Sequence, residues 1–201
     1  MKVQVRRYRS CDAQATADVF RAAVLRTAAH YYSSAQLEAW ISGSEDLAGW
    51  DQRRSAAWTV VAEIDGHVVG FADLTAEGVL DMLFVHPDRG RQGVGRALVE
   101  VVLGKARRRG LQRVRTRASR AGRPAFTRLG FVVDAINLDN TIRGVRVPNF
   151  DMHIVLADPR AAGQRGWDRL RHSRLNYGSQ PRHRYRPGGS GYERGLAARE
   201  R

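Results

Sequence analysis

Leu80-Asp-Met-Leu-Phe-Val-His-Pro-Asp-Arg-Gly-Arg-Gln-Gly-Val-Gly-Arg-Ala-Leu98 is the stretch on which the reading of this chain turns. A β-rich run, Val79–Val85, passes through Pro87 into a Gly/Arg/Gln loop, and a helical pattern begins at Gly93. Backbone N–H groups at such a helix start have no intrahelical partner, and the helix dipole is positive there, so the segment attracts phosphate. Gly93 and Gly95 leave the backbone open to close approach, and Arg89, Arg91 and Arg96 add charge. Two familiar phosphate loops are excluded. A Walker A loop needs a Gly-Lys-[Ser/Thr] ending, which is absent. A Rossmann fingerprint needs a third glycine and an acidic residue ending the next strand, where this chain has Thr116-Arg117.

Working outward, strands and helices alternate. Val3–Tyr8 reads as a strand and Asp12–Ala29 as one helix. Ser34–Ile41 and Leu47–Ser55 read as short helices, the first with Ser34 as its N-cap. Ala57–Ile64 and His67–Leu74 are β-rich runs joined by Asp65-Gly66, a strong hairpin signal. Gly93–Arg109 places Val94, Leu98, Val101 and Val102 on one helix face and stops at Gly110. Arg113–Ala118 is a strand, Pro124–Leu129 a helix with proline at its start, and Phe131–Asn137 and Asn149–Leu156 are strands. This is a mixed α/β chain of the α+β kind, with one domain over 1–157.

The remaining 158–201 differ in composition. Of a net charge of +14 over 201 residues, +7 falls there, from eleven arginines against four carboxylates. Glycines, Pro181 and Pro187 punctuate the segment and aliphatic residues are sparse, so it predicts a disordered tail. A short helix around 166–175 is the one element it suggests. Tyr177, Tyr185 and Tyr192 interleave with arginines, a texture that can track phosphates and stack bases, which keeps a nucleic-acid partner open. No apolar run approaches the ~20 residues that cross a bilayer, and Met1–Cys11 has no secretory core, so a cytoplasmic protein without membrane contact is expected. The single cysteine, Cys11, and the scattered His30, His67 and His153 give no metal site.

With these residues in view, the sequence resembles the GNAT superfamily of acyl-CoA-dependent N-acetyltransferases. Their pattern [Arg/Gln]-x-x-Gly-x-[Gly/Ala] follows a strand and opens a helix, as Phe84–Leu98 does. The preceding Val85-x-Pro87 and the later block Ala118–Phe131, ending Leu129-Gly-Phe131, agree with it. The resemblance covers about 3–156. It implies a mixed, mostly antiparallel sheet of about six or seven strands flanked by helices, acetyl-CoA as co-substrate, no metal, and direct transfer to an amine of a small-molecule or protein acceptor. A homodimer is left open.

Residue by residue, the resemblance implies that backbone amides from Gln92 through Gly93, Val94, Gly95 and Arg96 to Ala97 cradle the pyrophosphate of CoA, with Arg89 and Arg91 nearby. Leu83, Phe84 and Val85 would pair with the pantetheine arm, a Leu83 or Phe84 amide serving the thioester oxygen. Ser119 falls where many members carry an Asn holding that arm. Two departures stand out. The motif's leading Arg/Gln falls on Gly90, and the Tyr that in many members protonates the departing thiolate is Phe126. The vacant acid position leaves open a CoA-binding fold without catalysis, while Ser119, Tyr31, Tyr32 or water are the substitutes. Asp81 is the candidate general base, since strict alternation would put it on a strand face with Val79, Leu83 and Val85. Asp73, Glu77 and His86 are its alternatives. Trp40, Trp50 and Trp58 read first as packing. The resemblance would instead set Tyr31, Tyr32, Trp40 and Trp50 around the acceptor.

Overall fold

The computed structural model describes residues 2–156. The tail and its suggested helix lie outside the described residues. In chain order the elements are β1 (Gln4–Arg7), α1 (Ala13–Ala22), α2 (Ser34–Ile41), α3 (Leu47–Ala56), β2 (Trp58–Ile64), β3 (His67–Leu74) and β4 (Leu80–Val85). Then follow α4 (Val94–Arg108), β5 (Arg113–Ser119), α5 (Arg123–Arg128), β6 (Val132–Asn137), β7 (Thr141–Ile142), β8 (Val145–Arg146) and β9 (Asn149–Val155).

The strands form an antiparallel sheet β1-β2-β3-β4 and a second antiparallel sheet β5-β9-β6. A parallel bridge, Val79 to Arg115, joins them. Around it Arg115 N–H donates to the Gly78 carbonyl at 3.0 Å, and Thr116 Oγ1 donates to the Leu80 carbonyl at 2.8 Å. Beyond Leu80 the two strands part, and the free edge of β4 becomes a wall of the site.

β2 and β3 are buried on both faces, which is why their apolar runs are continuous rather than alternating. Val60, Ala62, Leu74 and Leu80 pack under α4 through Leu98 and Val102. Val61 and Phe71 pack on the opposite side with Phe20 of α1, Val24 of the turn that follows it and Trp50 of α3. Close approach of α4 depends on Gly70, where a Cβ would lie 3.0 Å from the Phe84 carbonyl oxygen and from Val94 Cγ1.

Element order follows the expectation, with ends displaced by a residue or two. Asp65-Gly66 forms the β2–β3 turn with φ of +51° and +77°, the left-handed pair of a type I′ turn. Three details differ. The predicted single helix over 12–29 is α1 followed by a widened π turn, Ala23–Thr27, and a 3-10 turn, Ala28–His30. The cap of α2 is Ser33, not Ser34: Ser33 Oγ accepts the Gln36 N–H while Gln36 Oε1 accepts the Ser33 N–H. Finally, the β7–β8 hairpin was not expected. Its strands are two residues each, too short for a periodic signal, and turn through Arg143 (φ +49°) and Gly144 (φ +79°).

Candidate active site

The register of β3 on β4 shifts between Ala72 and Leu74, where Asp81 and Met82 together oppose Asp73. This bulge would leave the Met82 N–H without a ladder partner, and Asp73 Oδ1 accepts it at 2.9 Å. Asp73 is buried, as is Arg54, whose Nη1 lies 3.3 Å from Asp73 Oδ2. Burial pushes the Asp73 carboxyl up to about 6 against the opposing pull of Arg54. Arg54 also stacks 5.1 Å over Trp50, so α3 holds the bulge from behind.

Past the bulge the alternation is reset. Leu80, Leu83 and Val85 pack toward α4, while Met82 and Phe84 pack toward α1 and α2. Asp81 therefore does not share the face of Leu83 and Val85, as strict alternation predicts, but stands exposed on the bulge. Backbone direction follows the same count. His86 N–H donates to the Val69 carbonyl at 2.8 Å, so Phe84 also turns to β3, and Leu83 and Val85 turn their amides and carbonyls to the free edge.

That edge borders a cleft of about 600 Å³, closed on its other sides by the π turn of α1, by Trp40, and by α5. The loop after β4 runs along it through a 3-10 turn, Pro87–Arg89. Gly93, at φ +82°, is the N-cap of α4. The helix ladder begins when Ala97 N–H reaches the Gly93 carbonyl at 2.9 Å, so the amides of Val94, Gly95 and Arg96 precede the first intrahelical bond. These three residues, with Gly93, Arg89 and Arg91, line the cleft. Gln92 and Ala97 lie outside its lining. At the lip, Arg26 and Asp88 form an exposed ion pair that links the π turn to the loop.

Ser119 closes β5 at the far wall, its Oγ accepting Gly122 N–H at 2.9 Å. Phe126 lies beside it, buried and edge-on to Phe131 at 5.2 Å between centroids. Thr27 and Ala28 of the π-turn region also line the cleft, a contribution with no motif in the sequence.

A second cavity of about 330 Å³ lies beyond Trp40, which lines both. Met82 belongs to this smaller cavity and Leu83 to the larger, so neighbouring residues of β4 serve the two. Of the expected acceptor residues, Trp40 and Trp50 line it. Tyr31 is 47% exposed and outside both linings. Tyr32 is buried, its OH donating to the Pro148 carbonyl at 2.7 Å and accepting Arg120 N–H at 2.8 Å, so it serves as an internal tie. Asp81 lines neither cavity. Among the described residues no group of three or more His, Cys, Asp and Glu could hold a metal, and no helix is long and apolar enough to cross a membrane.

Comparison with known proteins places this geometry. The family model for the acetyltransferase (GNAT) domain matches residues 28–154. The uncharacterized N-acetyltransferase YafP of Escherichia coli (strain K12) is 33% identical over 129 residues, covering 64% of this chain and 81% of that protein. A crystal structure of a GCN5-related N-acetyltransferase (aminotransferase, class-II) from Rhodopseudomonas palustris is 33% identical with a TM-score of 0.74. The match covers 78% of this chain and 97% of that one. The fold is also that of the PaiA N-acetyltransferase of Thermoplasma acidophilum, solved in complex with coenzyme A. That chain is 22% identical with a TM-score of 0.63, over 77% of this chain and 99% of its own.

Proposed function

The chain belongs to the GNAT acetyltransferase family, and on that premise we propose that it transfers an acetyl group from acetyl-CoA directly to an amine. The observation that supports this most is the junction of two backbone features. The free edge of β4 at Leu83 and Val85 is followed, after one loop along the same cleft, by the unpaired amides of α4. An extended amide-bearing arm fits the first and a pyrophosphate the second, and Arg89, Arg91 and Arg96 supply countercharge.

When bound, acetyl-CoA supplies an activated acyl carbon. The protein's part is to hold and polarise. Leu83 N–H, turned to the free edge, is the donor for the thioester oxygen; Phe84 N–H is committed to β3. Ser119 uses an oxygen lone pair on Gly122, which leaves its own hydrogen for the departing sulfur. Phe126 keeps that end of the cleft apolar. Asp81 is the candidate base. Its exposed place beside Met82 suits a proton passed through water to solvent rather than direct contact with the amine.

Calorimetry with acetyl-CoA, followed by amine-dependent release of CoA thiol, tests the reading. Binding in the micromolar range and turnover of at least one primary amine are expected. Folded protein that binds nothing at ~1 mM acetyl-CoA, the upper end of ordinary KM values, overturns it.

A further inference from the structure

We infer that the smaller cavity takes an acceptor whose amine and whose acidic group, a carboxylate or comparable oxyanion, stand at opposite ends of a small apolar body. This rests on the acetyl-transfer reading and names the substrate class for it. The apolar body follows from the less polar part of a lining whose accessible surface is predominantly polar. Phe20, Trp40, Trp50 and Met82 line the cavity, and Phe20 lies 5.2 Å from Trp50 between ring centroids. Trp50 Nε1 is spent on Thr16 Oγ1 at 3.0 Å, so its indole offers carbon rather than a donor. A volume of about 330 Å³ sits at the small end of ligand sites and suits a compact molecule rather than a folded protein segment.

The acidic end follows from the polar rim. Arg143, at the tip of the β7–β8 hairpin, reaches across to the α2–α3 loop, where its Nη2 donates to the Ser42 carbonyl at 3.2 Å. The guanidinium occupies space that Gly43 leaves open, since a Cβ there would stand 2.7 Å from that nitrogen. A guanidinium carries five N–H donors and this contact uses one. Arg53 lines the same cavity. Ser44 is 2% exposed and lines it too, yet its Oγ has no hydrogen-bond partner in the structure. A buried hydroxyl without a partner carries the uncompensated loss of its hydration, which a ligand oxygen removes.

Two carboxylates stand at this end, Asp46 in the lining itself and Glu45 next to it, and both accept backbone N–H groups. Asp46 accepts Gly49 N–H at 3.0 Å as the cap of α3. Glu45 is held below the usual carboxylate range first by backbone N–H groups of its own loop, then by Arg143 and Arg21. The amine end points the other way, to the wall shared with the larger cavity. There Trp40 lines both spaces, and Met82 passes to Leu83. In the step itself the amine lone pair forms the C–N bond as the C–S bond breaks. The electron pair leaves on sulfur, which takes up one proton, and nitrogen loses one to solvent.

The probes are 4-(aminomethyl)benzoate, its neutral amide 4-(aminomethyl)benzamide, and spermidine, compared by kcat/KM from thiol release. The acid should exceed its amide by about tenfold to a hundredfold, the range of a charge-assisted hydrogen bond. Arg143→Asn, in which asparagine accepts the left-handed φ of +49°, should bring that ratio near one with acetyl-CoA affinity unchanged by calorimetry. Ser44→Ala should narrow it in the same direction. Equal rates for acid and amide, a preference for spermidine, or a ratio indifferent to Arg143→Asn overturns this inference alone. Protein that binds acetyl-CoA but acetylates no amine overturns the acetyl-transfer reading with it.

Discussion

The larger cavity is walled along one side by residues of one stretch of chain between Leu83 and Arg96, and the groups proposed to hold its ligand are backbone N–H donors. The smaller cavity is assembled from side chains scattered between Phe20 and Arg143, and its decisive groups are a guanidinium and an unpartnered hydroxyl. Both share β4 and Trp40. A site made of backbone constrains its sequence strongly, because glycine and helix starts are required at fixed spacings. A site made of distant side chains leaves no local pattern. The first kind serves a ligand common to many proteins of a fold, and the second is free to change with the acceptor.

The severest break in this arrangement is at its shared wall. Arg54→Met removes the cation facing Asp73 and leaves a buried carboxylate at the bulge from which both cavities diverge. Loss of one partner of a buried pair costs ~3–5 kcal/mol, so the thermal midpoint at pH 8 should fall steeply. The pH dependence has a definite sign. The Asp73 carboxyl is already pushed up to about 6 in the folded protein, above its ordinary 3.8. Its charged form therefore opposes folding above that pH, and the opposition lifts as pH falls from about 6 toward 4. Without Arg54 to hold it down, the carboxyl takes its proton above pH 6, so the deficit of Arg54→Met against the parent should shrink as pH falls from 8 to about 6 and stay level below, as chemical denaturation at pH 8 and pH 5 would reveal. A constant deficit would remove the carboxylate from the explanation.

A break confined to the larger cavity comes next. Gly93→Glu places a carboxylate at the positive end of α4, and a left-handed φ of +82° adds ~1–2 kcal/mol of backbone strain. Acetyl-CoA affinity should fall by about a hundredfold or more, equivalent to ~2.7 kcal/mol. Gly93→Asn separates the two causes. Asparagine tolerates the conformation and carries no charge, and a Cβ at Gly93 meets nothing within 4 Å, so calorimetry should show only a severalfold loss. Equal losses in both variants would make the glycine's role conformational rather than electrostatic.

The same contrast governs what could be read from the sequence. The hairpin turn Asp65-Gly66, the helix start at Gly93 and the stop at Gly110 were legible because each requires a left-handed residue in a fixed place. Ser33 was legible in principle: with Gln36 three residues on, it forms the capping box that Ser34 cannot. The bulge was not. It depends on Asp73 answering an amide nine residues away while Arg54, nineteen residues back, faces it. Alternation, applied without that bulge, put Asp81 on the wrong face. Arg143 and Ser44 had no local signal, since only the short β7–β8 hairpin brings that arginine to the α2–α3 loop.

The smallest effect separates chemistry from binding within the larger cavity. Ser119→Ala deletes the hydroxyl nearest in role to the tyrosine that Phe126 replaces, without touching the α4 amides. General acids commonly contribute ~100-fold or more. A thiol of pKa ~8.5 is a far better leaving group than those such acids serve, so the expected loss in kcat is only about threefold to tenfold. The variant also removes the acceptor for Gly122 N–H, with an expected cost of ~1 kcal/mol in stability. Stability alone cannot mimic the kinetic signature. The kcat deficit should narrow above pH ~8.5, where the thiolate is the stable form and needs no proton to leave, and KM for acetyl-CoA should stay near its original value. Ser119→Thr, which keeps the hydroxyl, should recover most of kcat. A deficit independent of pH, or one carried by KM, would assign Ser119 to holding the loop before α5 and leave protonation of the thiolate to water.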